Sequence, residues 1–170
     1  MRRAAISILG PPGEKSILLG LNNQGRHRGR IIPPSETVEI GETPLEAAYR
    51  GIKEEVFGAT AQGLCQVGGF ELRFEGAPEL DIELHVFRGT IIGHPRACRR
   101  EFGWLRFFDP QDIKVDRMWP DARFWFFRVL ELGPNDPVLG LRLMLPAEPR
   151  FVVSRIRPPS SDEVALAVAG

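Results

Sequence analysis

The segment from Gly41 to Ala59 most narrowly limits what this chain can become. Thr43 is a good helix N-cap, Pro44 suits the first turn, and Glu46 completes a capping box with Thr43. Leu45, Ala48, Ile52 and Val56 recur at helical spacing as one apolar face, and Gly58 supplies a natural stop. At about 100° per residue, Gly51, Glu54 and Glu55 share one arc roughly 100° wide beside that face. Adjacent carboxylates at the edge of a core suit a hard, oxygen-seeking cation such as Mg²⁺, and such an ion can hold a diphosphate and activate water. Adjacent glutamates on a helix are also often no more than a solvated face. Arg50 stands where it can pair with a carboxylate and fix its orientation.

Around this helix the pattern is mostly strands. Ala4 to Leu9 and Ser16 to Leu21 flank a Gly-Pro-Pro-Gly turn and read as a hairpin. A polar, basic loop follows, from Asn22 to Arg30, and then a short extended piece ending at Ile40. Further strands are expected over Gly63 to Phe74 and Ile82 to Thr90, with an apolar run from Trp104 to Phe108. An aromatic-rich helix is expected over Arg117 to Leu132, then a last hairpin of Leu139 to Leu145 and Phe151 to Ile156. This is an α+β arrangement, read as one domain over residues 1–157 with a loose tail over residues 158–170.

Composition narrows the partners. Lysine plus arginine equals aspartate plus glutamate, 22 against 22, which lacks the basic surplus that a nucleic-acid polymer asks for. A small phosphorylated or aromatic ligand needs only a local patch, which Arg26, Arg28 and Arg30 can offer, although a solvated loop has the same composition. No apolar run approaches a membrane span or the core of a signal peptide. Cys65 and Cys98 cannot build a disulfide framework, and a reduced, cytoplasmic setting is the simpler expectation. His85 lies among apolar neighbours on an expected strand and reads as a core or edge histidine.

The stretch "GETPLEAAYRGIKEEVFGA" resembles the Nudix box, G-x5-E-x7-R-E-U-x-E-E-x-G-U, with Glu42, Arg50, Ile52, Glu54 and Glu55 in matching positions. The segments "FEGAPELDIELHVF" and "MWPDARFWF" are similar to the MutT-like members that act on oxidised purine nucleotides, and the resemblance spans residues 4–157. It implies the Nudix fold, an α/β/α sandwich with a mixed sheet. It also implies Mg²⁺ or Mn²⁺ held by Glu54, Glu55 and Glu101, with Glu54, Glu55 and Arg50 as the catalytic group. Trp119 and Asp121 would line a nucleobase pocket, with Phe74 as an aromatic wall. Arg26 and Ile32 would be further substrate contacts.

This chain departs from the pattern at four places. Gly51 replaces the glutamate after the box arginine, and a glycine inside a helix costs about 1 kcal/mol against alanine. Ser35-Glu36 replaces the glycine pair that opens the box, and Glu36 is a candidate replacement carboxylate whose placement the sequence does not give. One extra residue separates Glu55 from Gly58, so an extended or bulged helix end is expected. Ile32 and Ala122 stand where the family carries polar readers of the purine, which weakens the case for oxidised guanine as substrate.

Three functions are compatible with these residues. One is Mg²⁺-dependent cleavage of a diphosphate linkage in a nucleoside triphosphate or related small molecule, weakened or redirected by the altered box. Another is metal-independent acid–base chemistry on a biosynthetic intermediate. The third is a binding module without turnover.

Overall fold

The computed structural model describes residues 1–146; residues 147–170 and the side chain of Arg26 lie outside the described residues. Among the described residues, eight strands and two α-helices follow one another: β1 Arg2–Gly10, β2 Ile17–Asn22, β3 Ile31–Ile32, β4 Ser35–Thr37, α1 Pro44–Glu55, β5 Val56–Glu75, β6 Ile82–Ala97, β7 Phe102–Phe108, α2 Ala122–Leu130 and β8 Leu139–Pro146. They form a five-stranded mixed sheet in the order β4-β1-β6-β5-β8 and a three-stranded sheet in the order β3-β2-β7.

The larger sheet is sandwiched between the helices, and the period-2 alternation of its strands assigns each face. Ala5 of β1 and Phe87 of β6 pack with Ala47 and Ala48 of α1, while Leu9 and Ile91 pack with Ile52. The alternate positions Ile6, Ile8, Leu84 and Val86 pack with Trp125, Phe126 and Val129 of α2. β1 and β6 run parallel in the middle of the sheet, so β1 is buried from Ala5 to Leu9, as central strands covered on both faces are.

Several expectations need correction. The Gly-Pro-Pro-Gly turn does not make a hairpin: β1 pairs with β4 and β6, whereas β2 pairs with β3 and β7 in the other sheet. Leu45 is exposed, and the buried positions of α1 are Ala47, Ala48, Gly51, Ile52 and Glu55. The helix does not reach Gly58. It ends at Glu55, Val56 is already extended, and β5 begins there rather than at Gly63. The extra residue is absorbed in the strand, where the β5–β6 register shifts between Phe57 and Ala59 and Gly58 takes φ +74. A Cβ on Gly58 would lie 2.8 Å from the His94 carbonyl oxygen, so both conformation and space call for glycine.

Helix α2 is shorter than Arg117 to Leu132 because Pro120 precedes it and Val115–Arg117 forms a separate 3₁₀ turn. β8 covers the first half of the expected last hairpin, but its partner is β5, in parallel; Phe151 to Ile156 lies outside the described residues. Among the described residues, no helix is long and apolar enough to cross a membrane.

Candidate active site

The N-terminus of α1 is closed by the capping box. The Glu46 amide donates to Thr43 Oγ1 at 3.2 Å, and the Thr43 amide donates to Glu46 Oε2 at 2.8 Å. With its start fixed, the helix presents Arg50, Gly51, Glu54 and Glu55 toward β4, which crosses above it through the pairing of Glu36 with Ala5.

Arg50 is the hub of this region. Its guanidinium donates from Nε to Glu42 Oε1 and from Nη2 to Glu42 Oε2, both at 2.9 Å, and from Nη2 to the Thr37 carbonyl at 2.8 Å. Its Nη1 lies 3.4 Å from Glu36 and 3.8 Å from Glu54. The bidentate geometry is that of a strong charge-assisted pair, and it holds the Glu42 carboxyl down at about 2. Arg50→Ala is expected to return Glu42 to the ordinary carboxylate range, measured by NMR titration; a Glu42 that still titrates near 2 would show that other donors hold it.

Glu55 occupies the opposite environment. It is 7% exposed and accepts a 3.1 Å hydrogen bond from the Ser35 amide at Oε2. Burial pushes its carboxyl up to about 9 against that amide, and the neighbouring charges of Glu36, Glu101 and Glu54 push the same way. Burial also raises Glu36, with Glu54 and Glu101 adding to it and the Thr37 amide and Arg50 opposing it. Glu101 reaches the group from the loop between β6 and β7, where Gln24 Nε2 donates to its Oε1 at 3.1 Å.

Glu36, Glu54 and Glu101 thus all bear electrostatically on Glu55. This crowding of like charge around a buried carboxylate fits a hard divalent cation in donor chemistry and charge. The ligand group is not drawn together: among the described residues, no three His, Cys, Asp or Glu side chains stand close enough to hold an ion.

Beside Glu36 opens a cavity of about 820 Å³. Ala4, Ile6, Leu72 and Leu84 of the large sheet form its floor, Phe74 and Trp119 supply aromatic walls, and Ser35, Glu36 and Thr37 line its β4 side. Arg28, Arg30 and Asp121 also line it. Arg30 Nη1 donates to the Met118 carbonyl at 2.5 Å, bracing the segment that carries Trp119. Asp121 does not cap α2; its Oδ2 accepts a 2.7 Å hydrogen bond from the Trp125 indole one turn on, within the core.

Phe74, Trp119 and Asp121 therefore meet in one cavity. Ile32 does not join them: it is 4% exposed, pairs with Gly20 and is absent from the cavity lining. Ala122 is wholly buried. Arg26 belongs to the 3₁₀ turn Gly25–His27, but its side chain lies outside the described residues. His85 also stays out of the cavity lining and faces Gln66 and Glu83 instead. Sequence reasoning noted Glu36 without placing it. The signal that could have found it is the coincidence of a lost carboxylate at 51 with a gained one at 36.

The mixed sheet between two helices and the box on α1 define the class, and comparison agrees. The NUDIX domain family matches residues 1–129, and the chain belongs to that family. It is 30% identical over 115 residues to the oxidized purine nucleoside triphosphate hydrolase of Mus musculus, covering 68% of this chain and 72% of that protein. The Danio rerio protein of the same name is 32% identical over the same shares. Among solved structures, the Mutator MutT protein of Bacillus halodurans superposes with a TM-score of 0.66 at 20% identity, over 89% of this chain and 93% of that one. A NUDIX hydrolase of Nitrosomonas europaea gives 0.64 at 19% identity, over 85% and 78%. These two likenesses speak for the fold alone.

Proposed function

We propose that this protein hydrolyses a diphosphate linkage in a nucleoside triphosphate or related small molecule, with Mg²⁺ or Mn²⁺ as cofactor. One observation carries the reading. The cavity that holds Phe74, Trp119 and Asp121 runs to Ser35, Glu36 and Thr37 of β4, the edge strand that touches α1 through the Ser35 amide on Glu55 and Glu36 beside Arg50. A ligand ring between aromatic walls would then extend its phosphates toward Glu54 and Glu55.

Glu54, Glu55 and Glu101 are the residues that would hold the cation, which when bound offsets charge on phosphate oxygens and polarises water. Arg50 acts as a positioning residue, tying Glu36, Glu42 and Glu54 to one guanidinium. Arg28 lines the cavity and can meet phosphate oxygens, with Arg26 on the same turn. In the reaction a P–O bond forms from water to phosphorus as the bridging P–O bond breaks, and the proton of water passes to solvent.

The relatives' names point to oxidised purine triphosphates. The floor argues for looser recognition, because an aliphatic surface gives no hydrogen bond to a purine edge, and Asp121 already serves Trp125. Low turnover spread over several diphosphates is expected. The check is phosphate and pyrophosphate release with Mg²⁺ across ordinary and oxidised nucleoside triphosphates and other diphosphate-linked compounds. Sharp preference for an oxidised purine would overturn the loose-recognition part, and no release from any compound would overturn the hydrolase reading.

A further inference from the structure

We propose that positions 36 and 51 have exchanged roles, so that Glu36 supplies from β4 the carboxylate that the Nudix box carries on the helix at position 51. This rests on the metal-dependent reading above and specifies one of its ligands. The first support is steric. A Cβ built on Gly51 falls 2.7 Å from the Cβ of Glu36, 3.5 Å from its Cγ and 3.8 Å from its Cα. Its three nearest neighbours thus all belong to Glu36. Contact at 2.7 Å between two Cβ atoms is not relieved by rotating a side chain. Only one of the two positions can carry a side chain while the strand and helix keep their spacing.

Strand register supplies the second support. Glu36 sits opposite Ala5, and Ala5 faces α1. Pairing therefore aims Glu36 at the helix surface that a side chain at 51 would cover, while Ser35 and Thr37 alternate away from it. A glycine inside a helix is unfavourable, and here it is explained by what fills the space above it.

Third, Glu36 is held rather than loose. Its side chain is 25% exposed, its carboxylate lies 3.4 Å from Arg50 Nη1, and its Oε1 accepts from its neighbour's amide, that of Thr37, at 2.7 Å. It faces the same charges as Glu55, namely Glu54 and Glu101. It also lines the ligand cavity. That combination sets one carboxylate at the junction of the box and the cavity.

The test uses Mn²⁺ alone, followed by the EPR signal of free ion, on the full chain and on Glu36→Gln, Gly51→Glu and the double exchange Glu36→Gly/Gly51→Glu, with a thermal melt of each. Glu36→Gln is expected to melt like the parent and to bind Mn²⁺ about tenfold or more weakly, as for loss of a group that orients or ligates a metal. Gly51→Glu alone is expected to melt lower through the clash. The double exchange is expected to recover both melting temperature and Mn²⁺ affinity to within a few-fold of the parent. Unchanged affinity in a cooperatively melting Glu36→Gln, beside a parent that binds, would overturn the exchange and leave the hydrolase reading standing. A parent that binds no Mn²⁺ would overturn both.

Discussion

Trp125→Ala is expected to lower the unfolding free energy by about 3–5 kcal/mol, the range for deleting a large aromatic from a packed core. Trp125 has no exposure, packs tilted against Phe70 with ring centroids 5.3 Å apart, and its ring centroid lies 5.9 Å from that of Phe126. It sits in the cluster that joins β1, β5 and β6 to α2, so its loss opens the interface between sheet and helix. The indole has a second duty, because Nε1 donates to Asp121 at 2.7 Å. Trp125→Phe separates the two duties. It keeps most of the packing but removes a donor from a carboxylate that is 7% exposed, a change worth about 1–3 kcal/mol. Denaturant melts of both variants check the order; a Trp125→Ala protein within about 1 kcal/mol of the parent would contradict this account of the core.

Glu55→Gln is expected to stabilise the cation-free protein at neutral pH and to abolish turnover. The folded carboxyl titrates at about 9 against an ordinary value of 4.5, so the folded state binds its proton more tightly than the unfolded chain does. Its contribution is therefore fully present below pH 4.5, declines as pH rises through the interval up to about 9, and is lost above it. Each pH unit in that interval removes roughly 1.4 kcal/mol, so the penalty approaches roughly 3 kcal/mol by pH 7. Glutamine keeps the acceptor for the Ser35 amide and cannot ionise, so the melting temperature of Glu55→Gln should stay nearly flat where that of the parent falls. Melts from pH 4.5 to 9 in EDTA measure this; parallel curves would show that Glu55 ionises freely in the fold. A cation binding beside Glu55 would displace its proton, so the penalty in the free protein and the affinity for the ion arise from one buried carboxylate.

The carboxylate helix was the most legible part of the chain because its determinants are local. Thr43 and Glu46 make the capping box that their spacing suggests, and Arg50 reaches Glu42 and Glu54 within the same segment. What failed was non-local. Ala4 to Leu9 and Ser16 to Leu21 are apolar on both faces, and a strand buried on both sides carries no mark of which strand it joins. The intervening turn therefore suggested a hairpin that the two sheets divide. Pro120 breaks what aromatic periodicity alone extends into one long helix. The resemblance gave Ile32 a family role without saying which way it faces; it pairs with Gly20 and is buried. Gly51 and Glu36 stand apart along the chain, and that they meet depends on β4 lying across α1.

The measurement that reaches the central claim most directly is turnover of the best diphosphate substrate with Mg²⁺, after EDTA, and after Mg²⁺ is restored, in the parent and in Glu55→Gln. This account predicts hydrolysis by the parent that EDTA stops and Mg²⁺ recovers, with none by Glu55→Gln. Hydrolysis that continues in EDTA, or that Glu55→Gln retains, would contradict it and place the chemistry on residues other than the carboxylate helix.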